Sequence, residues 1–79
     1  MTSPGAWCTA SAAWNSHYQD YDIYVHSNQP DQSVTATASN GASQSYQTDA
    51  TGYADVYLYA NSGDSVWVSA GAASCSTTT

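Results

Sequence analysis

Asp20, Asp22 and His26 alternate along one short stretch, with Tyr24 between them and His17 just upstream. On an extended strand that spacing puts the alternate residues on one face. Carboxylate and imidazole together are a donor set that divalent metals accept. Two carboxylates two residues apart converge poorly without a third ligand, however, so the expectation is an outward, solvated strand face with no metal and no cofactor. Ser, His and Asp are all present, yet no serine sits in a nucleophile-elbow glycine pattern and no histidine in a motif. A chain of 79 residues also leaves little room for a substrate cleft. No catalytic residue is assigned, and the chain is read as a non-enzyme.

The aromatic residues point further. There are three Trp and seven Tyr but no Phe, and strand parity sends Tyr24, Tyr53, Tyr57, Tyr59 and Trp67 outward. Rings so placed can act simply as cross-strand pairs that stabilise a sheet. A contiguous aromatic surface rimmed by Ser, Asn, Gln and Asp is also what a sugar-stacking platform or a protein paratope offers. If residues 53–60 and 64–70 form a hairpin matching Leu58 with Val66 and Val56 with Val68, Tyr57 lies beside Trp67. That pair is the expected centre of a contact surface for a protein or a neutral carbohydrate, or for self-association.

The elements that must carry these side chains are strands. No stretch holds an apolar 3.6 period, and β-branched, aromatic and Ser/Thr residues dominate. Residues 6–14 place Cys8, Ala10, Ala12 and Trp14 on one face, ahead of a polar turn at 15–19. Residues 20–26 turn Tyr21, Ile23 and Val25 inward, and 28–31 (Asn-Gln-Pro-Asp) form a turn. Around Asn40-Gly41, a three-residue loop pairs Val34 with Tyr46, Ala36 with Gln44 and Ala38 with Ala42. This register matches apolar residues better than a two-residue loop does, and it puts Gly41 where a left-handed residue is wanted. Two further strands bring Ala54, Val56 and Leu58, then Val66, Val68 and Ala70, to the core. At least six short strands about ten residues apart read as an all-β fold, a small antiparallel β-sandwich, in one domain spanning residues 1–79. Residues 1–5 and 76–79 read as tails.

The core stock is thin, with one Leu, one Ile and no Phe, and a domain this small needs a staple. Cys8 and Cys75 bracket nearly the whole chain, and closing that loop is worth about 4 kcal/mol in the chain-entropy account. A disulfide implies an oxidising compartment, so an extracellular or cell-surface location is expected. No leader precedes Thr2, so a secreted protein would be represented here by its mature or recombinant form.

Charge narrows the partners. Lys, Arg and Glu are absent, and six Asp set a net charge of −6, whereas ordinary domains have about a quarter charged residues. Nothing can neutralise phosphates, which excludes nucleic acid and anionic membranes as electrostatic partners. No apolar run approaches membrane length, so membrane insertion is not expected.

Residues 48–68 resemble the closing half of the small Ig-like, prealbumin-like domains of bacterial surface proteins, the Cna-B-type and carboxypeptidase regulatory-like domains. Thr48, Asp49, Gly52, Val56, Leu58, Gly63, Val66 and Val68 hold the places of that pattern. The resemblance implies an extracellular, non-catalytic module. Many Cna-B domains carry a Lys–Asn isopeptide crosslink, which a chain without Lys cannot form; a Cys8–Cys75 bridge would stand in for it. Sequence alone thus supports a disulfide-stapled binding module with an exposed Tyr/Trp face. The alternatives are a self-assembling subunit of a surface fibre or layer, whose edge strands lack a Lys to oppose pairing, and an engineered charge-depleted binding scaffold.

Overall fold

The alternation of small apolar and polar residues resolves into seven strands in a computed structural model that describes residues 5–79. They are β1 (Cys8–Asn15), β2 (Asp20–Ser27), β3 (Ser33–Ala38), β4 (Ser43–Gln47), β5 (Tyr53–Leu58), β6 (Ser65–Ala70) and β7 (Ala73–Thr78). One sheet has the order β1-β2-β5 and the other β4-β3-β6-β7, with every pairing antiparallel. In constant-type immunoglobulin domains the fourth strand lies beside the fifth. Here β4 pairs with β3 in the opposite sheet.

Period-two burial explains why the sheets face each other. Ile23, Val25, Val56 and Leu58 from one sheet meet Val34, Ala36, Val66, Val68 and Ala70 from the other, all buried. Cys8 and Cys75 are disulfide-bonded, with Cα atoms 5.6 Å apart, and join the first strand of one sheet to the last strand of the other. The β3–β4 hairpin has the expected register, Val34 opposite Tyr46 and Ala36 opposite Gln44. Gly41 sits in its loop at φ 96°, where its amide donates to the Ala38 carbonyl at 3.0 Å.

Two expectations are corrected. Residues 76–79 are no tail: β7 runs through Thr78, and the Thr79 hydroxyl accepts from the Asp64 amide at 2.9 Å. Of the tail expected at 1–5, residues 1–4 lie outside the described residues, while the Gly5 carbonyl accepts from Asn28 Nδ2 at 3.1 Å. Second, β5 and β6 do not pair, because β5 bonds to β2 and β6 to β3 and β7. Their connection crosses between sheets. Trp14 lies on the same face of β1 as Cys8, Ala10 and Ala12, as expected, and is 55% exposed. It lies at the strand's end, edge-on to Tyr21 at 5.1 Å.

A four-stranded sheet over a three-stranded one leaves an overhang. The disulfide closes the β1/β7 side, while at the other side β4 reaches past the edge strand β5 and packs against it. No residue of β4 is buried, although Gln44 and Tyr46 lie opposite the buried Ala36 and Val34.

Candidate functional site

The turn between β1 and β2 builds one wall of a site at that overhang. Asn15 Oδ1 accepts from the amides of His17 at 3.0 Å and Tyr18 at 3.3 Å, the local side-chain bonding that makes Asn a turn residue. Gln19 then takes a left-handed φ of 55°, and the chain re-enters the sheet at Asp20. Tyr18 is thereby folded against the outer face of the three-stranded sheet, its ring centroid 6.4 Å from that of Tyr57. From the opposite side β4 brings Tyr46 to Tyr57, with centroids 6.2 Å apart at 84°, the edge-to-face geometry that ring quadrupoles favour. Tyr59 follows the end of β5. Those four tyrosines, with Asp20 and Gln44, line a cleft of about 360 Å³. Tyr59 also borders a second depression of about 460 Å³ that includes Trp14, Tyr21, Gln19, Asn61 and Ser62.

The carboxylates beneath these rings overturn the expectation of a solvated face. Asp20 and Asp22 do point outward by parity, yet they are only 3% and 8% exposed. Asp22 lies opposite Tyr57 on β5, and its Oδ2 accepts from Asn15 Nδ2 and the Tyr24 hydroxyl, both at 3.3 Å. Oδ1 of Asp20 and Oδ1 of Asp22 are buried without a hydrogen-bond partner among the described residues. Asp55, opposite Tyr24, completes an acidic trio. Its carboxyl is held above the usual range by burial first, and then by the charges of Asp22 and Asp20. The Tyr24 phenol is raised chiefly by Asp22, and the Tyr57 phenol chiefly by Asp55. Negative potential therefore concentrates on this face, and the chain has no Lys or Arg to offset it.

The proposed contact residues divide between the two outer faces. Tyr24, Tyr53 and Tyr57 lie on the three-stranded sheet, with Tyr59 just past its end. Trp67 is 57% exposed but belongs to the four-stranded sheet, opposite Thr37 and Ser76. The expected Tyr57–Trp67 pair is not formed, since parity tells in from out but not which sheet a strand joins. Tyr53 sits at the far end of its face, stacked on His26 at 4.0 Å and 3°, with Trp7 edge-on to His26 at 5.2 Å. His17 packs edge-on to Tyr18. Among the described residues no group of three or more His, Cys, Asp or Glu is arranged to hold a metal ion.

Sequence reasoning passed over Tyr18, Tyr46, Trp14 and the burial of Asp20. One clue was available for Tyr46: in Ser43-Gln44-Ser45-Tyr46-Gln47 it is the only apolar residue, the composition of a strand that overhangs a core rather than closing one. No family model, curated protein or solved structure matches the chain.

Proposed function

We propose that this protein is an extracellular, non-catalytic binding module whose contact surface is the tyrosine-rich end of the sandwich around Tyr57 and Tyr59. The observation that carries the reading is the pair of adjoining depressions sharing Tyr59, walled by Tyr18, Tyr46 and Tyr57 on one side and by Trp14 and Tyr21 on the other. Tyr and Trp provide rigid contact area with few rotamers to freeze, and binding energy concentrates in such anchors. Gln19, Gln44, Asn61 and Ser62 supply hydrogen-bonding groups between the rings. The disulfide supports an oxidising compartment, and among the described residues no helix is long and apolar enough to cross a membrane. The resemblance of residues 48–68 to Cna-B-type and carboxypeptidase regulatory-like domains supports the same surface-module role.

The test is amide chemical-shift mapping against neutral oligosaccharides and short peptides. Shifts should cluster around Tyr18, Tyr46, Tyr57 and Tyr59. Binding should weaken by roughly 2 kcal/mol in Tyr57→Ala and persist in Trp67→Ala. Binding lost in Trp67→Ala but kept in Tyr57→Ala would move the contact surface to the other sheet and overturn the reading. Concentration-dependent broadening at the same tyrosines without any probe would favour the self-assembling subunit.

A further inference from the structure

Asp20 is a buried carboxylate at the edge of the tyrosine cleft. It is 97% buried by the complement of its 3% exposure, its Oδ1 has no partner among the described residues, and it lies in the wall of the cleft formed by Tyr18, Tyr46, Tyr57 and Tyr59. A carboxylate removed from water without a compensating partner is strongly unfavourable. No lysine or arginine of this protein can relieve it, because the chain has neither. Asp22 and Asp55 add negative charge on the same sheet face.

We propose that this cleft takes the primary ammonium group of a lysine side chain from a partner polypeptide. This rests on the binding-module reading and names the group recognised at that site. Three observations select the occupant. The tyrosine faces attract a cation through their ring quadrupoles and cover an aliphatic stem. The Asp20 carboxylate in the cleft wall is an acceptor for an N–H donor, which a primary ammonium carries and a quaternary ammonium lacks. A volume of about 360 Å³ has room for a single long side chain. A second copy of this chain has no lysine side chain to supply. The partner is therefore a different, basic polypeptide, and the net charge of −6 steers its approach.

The experiment follows amide shifts at Tyr18, Asp20, Gln44, Tyr46 and Tyr57 during titration with n-pentylammonium, its neutral counterpart n-pentanol, tetramethylammonium, calcium, and a capped Gly-Lys-Gly peptide. Pentylammonium is expected to bind saturably and at least about tenfold more tightly than pentanol, with tetramethylammonium weaker than pentylammonium. The lysine peptide should match or exceed pentylammonium, which separates a polypeptide source from a free amine. Asp20→Asn should abolish the preference for charge, while Tyr57→Ala should weaken charged and neutral probes alike. Pentanol binding as well as pentylammonium would overturn the lysine assignment while leaving the binding-module reading intact. Calcium shifting these amides at lower concentration than pentylammonium would overturn it in favour of a metal. Probe-induced shifts confined to residues outside the cleft would overturn both. The comparison among probes on the unmodified protein stands even if Asp20→Asn does not fold.

Discussion

Two glycines show how much a single position can depend on its surroundings. Gly41 and Gly52 both adopt left-handed backbone, φ 96° and 88°. A Cβ added at Gly41 would meet nothing within 4 Å, so Gly41→Ala carries only the conformational cost, about 1 kcal/mol. At Gly52 the same methyl would collide with the backbone carbonyl oxygen of Ser27, whose amide donates to the Gly52 carbonyl at 2.8 Å. Backbone cannot rotate away as a side chain can. Gly52→Ala is expected to cost on the order of 3 kcal/mol, measured by urea unfolding beside Gly41→Ala. Equal effects from the two substitutions would show that the approach to Ser27 relaxes freely. Asp20 teaches the complementary lesson, that a residue can obey strand parity and still be buried when a turn and neighbouring rings fold over it.

At the scale of elements, β5 and the turn before it carry two carboxylates with opposite behaviour. Asp49 accepts from the Thr51 hydroxyl at 2.6 Å, the Thr51 amide at 2.8 Å and the Tyr53 amide at 3.0 Å, and these bonds hold its carboxyl below the usual range. Its contribution is complete above the unfolded value of about 3.9 and fades as pH falls through the lowered folded value. Asp55 is raised, by burial and by Asp22 and Asp20, so the folded state holds its proton more tightly than the unfolded chain does. Between the unfolded and folded values of Asp55, stability falls as pH rises. Thermal melts from neutral pH downward should show a rise in Tm as Asp55 takes up its proton, then a decline as Asp49 does. Asp55→Asn should raise Tm at neutral pH and remove the first phase; a curve unchanged by that substitution would detach the acidic trio from stability.

The same elements show what was legible beforehand. Core parity was readable in Ile23, Val25, Val56, Leu58, Val66 and Val68, because period-two patterning is local. The β3–β4 register was readable from Asn40-Gly41 and the residues either side. Strand partnership was not. Ala54–Leu58 and Val66–Ala70 suit a hairpin as well as they suit two sheets, and the pattern within a strand says nothing about which sheet it joins. That ambiguity produced the Tyr57–Trp67 pairing, and with it a single aromatic face where the molecule has two. β7 escaped notice because Ser74, Ser76, Thr77 and Thr78 offer almost no apolar signal beside Cys75 and Ala73. The cleft needed more than pairing: Tyr18, Tyr46 and Tyr57 come from a turn, an overhanging strand and an opposing edge.

For the whole molecule, a small aliphatic core shares the task of holding two sheets together with one covalent bond. The bridge spans 67 residues, for which the chain-entropy account gives about 4 kcal/mol. A Cys8→Ser/Cys75→Ser variant should lose stability on that scale in urea unfolding. If stability is unchanged, the sheets are held by packing alone. The β4/β5 side has no comparable tie, and β4 buries none of its residues. Native-state hydrogen exchange should therefore find β4 opening at lower free energy than β2 or β6.

The placement of the disulfide also determines how the domain transmits load. Cys8 stands at the start of β1 and Cys75 in the last strand, with their Cα atoms 5.6 Å apart. Tension applied to the chain outside the two cysteines passes through the sulfur bridge and bypasses the strands between them. An oxidised domain pulled in this way behaves as a nearly inextensible link. Once the bridge is reduced, the 67-residue span can pay out, about 3.3–3.6 Å per residue, or roughly 230 Å in all. Single-molecule stretching with and without reductant would register that length as a step present in one condition and missing in the other, while the tyrosine cleft keeps its shape under load for as long as the bridge is intact.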